Sequence, residues 1–197
     1  MSPQKIPSAL LVIDVQESFR HAAYWREDDL AVYLVHQNRL IAAAREAGIP
    51  VVRVFHVDIG IPEYAHFAPE SGYVVAMSGS DPYADHAVQK QVHSAMVGTG
   101  LVEWLHARGI GKLVVSGIRT EQCCETTTRN ASDLGFQVDY VTEATLTFPM
   151  RHFSSGRLFE PAEIKEKTEL VLEKRFARIC SVDQVVAGWH ESRQEFA

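Results

Sequence analysis

Three stretches of the chain are almost continuously apolar: ALLVIDV (Ala9–Val15), VVRVFHV (Val51–Val57) and KLVVSGI (Lys112–Ile118). Apolar runs of this length without alternation mark strands buried on both faces, as in a parallel sheet covered by helices. QVDYVTEA (Gln137–Ala144) reads as a further strand, with shorter ones at Val88–Lys90 and in RICSV near the C-terminus. Between them the apolar period becomes helical. Leu30, Leu34, Ile41 and Ala44 share one face behind a cap at Asp28 or Asp29, and Gly48 followed by Pro50 ends that helix. GTGLVEWLHARG (Gly98–Gly109) predicts a helix with Leu101, Val102 and Leu105 inward, and RTEQCCETTTRNASDLG one closed by Gly135. PAEIKEKTELVLEKRFA predicts an amphipathic helix begun by Pro161, and a short helix ends the chain. Strands alternating with helices imply right-handed crossovers. The expected fold is therefore a three-layer α/β/α, Rossmann-like arrangement around a mostly parallel six-stranded sheet, forming one domain over residues 1–197. There is no internal repeat, linker or low-complexity tract.

In such sheets ligands bind beyond the carboxyl ends of the strands, near the point where strand order reverses. The stretch from Asp58 to His86, rich in Gly, Pro, Ser and Tyr and without a clear period, is a long loop of the kind usually given to function. Composition narrows the classes. With 46% hydrophobic and 22% charged residues the chain is globular, and its net charge of −6 argues against a nucleic-acid partner. No apolar run approaches the roughly 18 residues of a membrane span, and the N-terminus lacks a signal-peptide layout. Three cysteines, two of them adjacent, argue against a disulfide framework and for a reducing, cytoplasmic setting.

Three residues meet the strand-end criterion. Asp14 interrupts the first apolar run near its end, where a carboxylate is costly unless paired or used. Lys90 ends a short strand. Cys123 and Cys124 open the helix after KLVVSGI, with Thr120 as its expected N-cap. Free N–H groups and the positive end of the helix dipole favour a thiolate there. Successive helical residues point about 100° apart. Cys124 shares the inward stripe of Thr128, Ala131 and Leu134, so Cys124 is expected to pack and Cys123 to be the thiol that reacts.

IDVQ with a following Phe, Lys90 followed by HSAMVGTGL, and VSGIRTEQC before a helix together resemble the isochorismatase-like cysteine hydrolases, among them nicotinamidases and N-carbamoylsarcosine amidases. The resemblance covers roughly residues 8 to 145 and is weaker over the last fifty. It implies a catalytic triad of Asp14, Lys90 and Cys123, a non-proline cis peptide between Ile118 and Arg119, and an oxyanion hole from the backbone N–H groups of Arg119 and Cys123. It also implies C–N bond hydrolysis of a small amide or ureide through a Cys123 thioester, with Asp14 as base and acid. The alternatives are an isochorismatase-type vinyl-ether hydrolase that does not need the thiol, and a non-catalytic member of the fold.

The sequence departs from the family in two places. Nicotinamidases carry a metal site in which Asp precedes His as D-x-H. Here His56 and Asp58, with His66 further on, run in the reverse order; three such groups within eleven residues can still bind zinc, but the preferred reading is no metal or cofactor, with His56 orienting the site or touching substrate. Arg119 occupies a position commonly small and apolar in the family. An arginine there can bind a substrate carboxylate, or turn outward to pair with Glu121 or a neighbouring subunit, and the sequence leaves both open. Gln16 is expected to position Asp14 or the substrate, and Phe19, Tyr24 and Trp25 to stack on a planar substrate. The family implies a homodimer or homotetramer.

Overall fold

The computed structural model describes residues 6–194, so the ends of the expected 1–197 domain, 1–5 and 195–197, lie outside the described residues. The chain forms β1 (Ser8–Ile13), α1 (Leu30–Ala47), β2 (Val51–His56), β3 (His86–Lys90), α2 (Leu101–His106), β4 (Lys112–Ile118), α3 (Glu125–Asp133) and β5 (Gln137–Leu146). There follow β6 (Met150–Arg151), β7 (Leu158–Phe159), α4 (Pro161–Leu172), β8 (Arg178–Ile179) and α5 (Val182–Gln194). Six strands make one sheet in the order β3-β2-β1-β4-β5-β8, and every neighbouring pair is parallel. The chain builds outward from β1 through β2 to β3, then returns to the other side of β1 with β4. The switch point thus lies between β1 and β4.

Both sheet faces are covered, which is why the strands read as unbroken apolar runs. Leu10, Val12 and Val114 pack on one face with Leu40, Ile41 and Ala44 of α1 and Val185 and Trp189 of α5. Ala9, Leu11, Ile13, Val115 and Val138 pack on the other with Leu101 and Leu105 of α2, Ala131 of α3 and Leu172 of α4. Gly48 ends α1 with φ 69°, its N–H reaching the carbonyls of Ala44 and Arg45.

Several boundaries differ from the sequence expectation. α4 stops at Leu172 instead of running to Ala177, because the N–H groups of Phe176 and Ala177 fold back onto the Leu172 carbonyl around Lys174, whose φ is 62°. α2 occupies only Leu101–His106 of the Gly98–Gly109 stretch, bounded by left-handed Gly100 and Gly109. β5 runs two residues past Ala144. Leu134 is exposed, since α3 ends at Asp133 before the stripe reaches it. The β6–β7 hairpin was not anticipated. The Asp58–His86 loop contains two short 3-10 turns, Pro62–Phe67 and Pro69–Ser71. No helix among the described residues is long and apolar enough to cross a membrane.

Candidate active site

Each element delivers one side chain to the carboxyl edge of the sheet. Asp14 is the first residue past β1, His56 the last of β2 and Lys90 the last of β3, and His56 and Lys90 are register partners. Asp14 has φ 54°, a left-handed conformation uncommon for a residue with a side chain and found where surrounding structure enforces it. On the other side of the switch point β4 presses against β1. A Cβ at Gly117 would stand 2.0 Å from the Ile13 carbonyl oxygen, so only glycine fits there.

The Ile118–Arg119 peptide bond after it is cis. Thr120–Cys124 then form a wide π-type turn, closed by the Cys124 N–H on the Arg119 carbonyl at 3.2 Å, before α3 begins at Glu125. Thr120 is therefore not the N-cap of the helix. Its hydroxyl donates to Thr145 Oγ1 at 2.8 Å, and its carbonyl accepts from the buried Tyr140 hydroxyl at 2.8 Å. The end of β5 thus braces the turn that carries Cys123.

Lys90 Nζ lies 2.7 Å from Asp14 Oδ2, 3.1 Å from His56 Nδ1 and 3.4 Å from Cys123 Sγ. Asp14, Lys90 and Cys123 are 0%, 2% and 7% exposed. Asp14 Oδ1 is buried without a hydrogen-bond partner. Burial pushes the Cys123 thiol up, the Asp14 carboxylate pushes it further, and the opposing pull of Lys90 is too weak to reverse this. Desolvation thus outweighs what the turn after β4 and the ammonium supply, and the thiol is held above its ordinary range. Burial lowers the Lys90 pKa, but the Asp14 carboxylate and Cys123 more than offset it, and the ammonium is held above its ordinary value. Burial and the adjacent Lys90 hold His56 below the ordinary histidine value.

Asp14 and Cys123 border a cleft of about 390 Å³, and Lys90 stands behind them, outside its lining. Phe19, Tyr24, Tyr64 and Phe67 supply aromatic walls, and Arg119, Gln122, His93, His56 and Asp58 supply polar groups. Gln16 and Trp25 are not among its lining residues. The Gln16 amide is consumed by the His56 backbone, accepting from its N–H at 2.8 Å and donating to its carbonyl at 3.0 Å. The Trp25 ring packs 5.2 Å from Phe148. Arg119 lines the cleft and pairs with Glu121 at 2.9 Å, buried rather than turned outward, with Tyr24 stacked on its guanidinium at 4.8 Å. Cys124 is fully buried in the core, as its place on the inward stripe implied.

Sequence reasoning gave no role to Tyr64, Phe67, Asp58, His93 or Gln122 in the cleft. The length of the Asp58–His86 loop was the available signal for the first two. His93 Nδ1 stands 3.9 Å from Cys123 Sγ, within the HSAM stretch already singled out. His56 has both ring nitrogens engaged, Nδ1 by Lys90 and Nε2 by Asp58 Oδ1 at 3.2 Å. The His66 ring rests on Phe67 at 4.8 Å. The residues present do not fit a metal, and among the described residues no three His, Cys, Asp or Glu side chains are grouped to hold one.

A doubly wound parallel sheet with a buried Asp, Lys and Cys meeting at its switch point defines an α/β protein with a cysteine-centred site. Residues 8–183 match the Isochorismatase domain model, and the chain belongs to the isochorismatase family. It is 27% identical over 178 residues to the isochorismatase family protein YrdC of Bacillus subtilis, covering 90% of this chain and 94% of that one. It is 32% identical over 158 residues to Nicotinamidase 3 of Arabidopsis thaliana, covering 74% of this chain and 76% of the relative. A crystal structure of an isochorismatase-type protein from Burkholderia xenovorans LB400 superposes with a TM-score of 0.84 at 34% identity, over 95% of this chain and 89% of that one.

Proposed function

We propose that this isochorismatase-family hydrolase cleaves the C–N bond of a small amide or ureide through a thioester on Cys123. The observation that carries the reading is the meeting of Lys90 Nζ with Asp14 at 2.7 Å and with Cys123 Sγ at 3.4 Å, where Asp14 and Cys123 line one cleft. Similarity to a nicotinamidase supports an amide as the substrate class, and the aromatic walls favour a flat one.

With the Cys123 thiol pushed up by burial, its proton leaves as attack begins. Asp14, whose Oδ1 has no other partner, takes it, and the sulfur lone pair forms the bond to the carbonyl carbon. Lys90 offsets the anionic charge passing between carboxylate and sulfur. The carbonyl electrons move onto oxygen, facing the backbone N–H groups of Arg119 and Cys123, where one donor contributes about 3 kcal/mol. As the oxygen reforms its double bond, the C–N bond breaks and Asp14 returns the proton to nitrogen, so ammonia or an amine leaves. Water, losing a proton to Asp14, then attacks the thioester. The acid departs and the thiol regains its proton.

The experiment is an ammonia-release screen over small primary amides, ureides and N-carbamoyl compounds, followed by intact mass measurement of acid-quenched enzyme. The expected result is turnover of at least one such compound with an acyl adduct on residue 123. Turnover that survives Cys123→Ala would overturn the covalent mechanism, and no turnover of any such compound would return the vinyl-ether alternative.

A further inference from the structure

The chemistry proposed above needs the Lys90 ammonium aimed at carboxylate and sulfur together, yet an ammonium on a four-carbon stem has no directional geometry of its own. It carries three N–H donors and no acceptor. Three acceptors surround it: Asp14 Oδ2 at 2.7 Å, His56 Nδ1 at 3.1 Å and Cys123 Sγ at 3.4 Å. The Lys90 side chain is fully buried, so solvent does not substitute for any of them. Since Lys90 can only donate, the Nδ1 of His56 that faces it must be the unprotonated nitrogen. The ring proton then sits on Nε2, where Asp58 Oδ1 stands 3.2 Å away to accept it. The backbone of residue 56 is held at both its N–H and its carbonyl by the buried Gln16 amide.

We infer that His56, oriented by Asp58, is a positioning residue that takes the third N–H of Lys90 and holds the ammonium against Asp14 and Cys123. This rests on the reading of Cys123 as nucleophile. The groups facing the His56 ring are Lys90 from β3, Asp14 from the end of β1, Asp58 from the loop after β2 and, at 6.5 Å, the ring of His93. Burial and Lys90 keep the ring neutral against the pull of the two carboxylates. A protonated His56 would donate from Nδ1, remove the third acceptor and set two cations face to face.

The test reads the sulfur directly and needs no substrate. The rate of iodoacetamide alkylation at Cys123 is followed by peptide mass from pH 5 to 9 in the native wild type, His56→Phe, His56→Asn and Asp58→Asn, with thermal melts as a check on folding. Phenylalanine removes the acceptor, whereas asparagine places Oδ1 near the position of Nδ1. The expected result is a fall of about tenfold in His56→Phe at pH 7, the loss of one charge-assisted hydrogen bond, and recovery to within about threefold in His56→Asn. The ratio of wild-type to His56→Asn rates should stay level above about pH 6.5 and fall below it. If His56→Phe does not fold, Asp58→Asn carries the test, with an expected loss of about threefold.

Superimposable rate–pH curves for wild type and His56→Phe, or a loss in His56→Asn equal to that in His56→Phe, would overturn the role of His56 alone. For an unfolded His56→Phe, an unchanged curve in Asp58→Asn would do the same. Labelling of Cys123 no faster than Cys124 and Cys180 in the native wild type would instead remove the nucleophile reading, and the inference with it.

Discussion

The ammonium of Lys90 lies 3.4 Å from the sulfur of Cys123, although 33 positions of chain separate the two residues. Lys90 ends β3 at one edge of the sheet, and Cys123 follows β4 on the far side of β1. The same ammonium ion-pairs at 2.7 Å with Asp14, the first residue past β1, which lies between those two strands in the sheet order.

The two adjacent cysteines should separate cleanly. Cys123→Ala removes the sulfur from the cleft and should lower ammonia release by at least about a thousandfold with little change in melting temperature. Cys124 is wholly buried and its thiol is raised well above the ordinary value by burial, then by Cys123. Cys124→Ala should keep most of the activity and cost about 1–2 kcal/mol of stability through the void it leaves. Steady-state rates with urea melts check both, and equal activity losses in the two variants would contradict the assignment.

The Asp14–Lys90 pair is fully buried on both sides. Lys90→Met leaves a carboxylate without its counter-charge, and a loss of about 3–5 kcal/mol is expected. Replacing both, as Asp14→Leu with Lys90→Met, should recover part of that loss while leaving the protein inactive. The raised Lys90 pKa gives a stabilisation present below about pH 10.4 that is lost as pH rises through the folded-state value. Urea unfolding of the variants at pH 7, and of the wild type from pH 7 to about pH 12, tests both statements, and a double variant less stable than either single one would be inconsistent with a buried-charge penalty.

Gly117→Ala should be among the most damaging single-methyl changes in the chain. The added Cβ meets the Ile13 carbonyl oxygen at 2.0 Å, and φ at this position is 132°. β1 and β4 must part exactly where Asp14 and the Cys123 turn emerge, so activity should fall with stability. A loss above about 3 kcal/mol is expected from backbone strain and overpacking. A melting temperature within a degree or two of wild type would show that β1 and β4 tolerate the separation.

His56 should also mark the acid side of the stability curve. Its pKa is lowered in the folded chain, by burial first and Lys90 next. The unfolded chain therefore binds a proton near pH 6.5 that the folded chain refuses. Stability is full above about pH 6.5 and is lost as pH falls through the folded-state value. The stability difference between wild type and His56→Asn should shift against the wild type between pH 7 and pH 5, read as melting temperatures across that range. A constant difference would mean that residue 56 does not titrate in this window.

The order of strands and helices could be read from the chain because burial on two faces is a local property: Leu10, Leu11, Val12 and Ile13 are all buried, and the pattern needs no neighbour to be seen. The three polar residues at strand ends were visible for the same reason, since an acid within ALLVIDV or a thiol after KLVVSGI stands out from its surroundings. The stop of α4 at Leu172 was not visible, because it depends on a turn that returns N–H groups to one carbonyl and not on any break in the apolar period. Nor could Gln16 be told from a substrate contact, since its partner is the backbone of residue 56, forty positions away.

By itself the sequence determined a parallel α/β sheet with a carboxylate, an ammonium and a thiol at the ends of its strands, since periodicity and the cost of polar groups in apolar runs act within a few residues. Tertiary structure alone decided which of these groups touch, that burial pushes the Cys123 thiol up, and that His56 lies between Lys90 and Asp58. Those outcomes are sums of desolvation and charge over β1, β2, β3 and the turn after β4, and such sums exist only once the crossovers have brought the segments together.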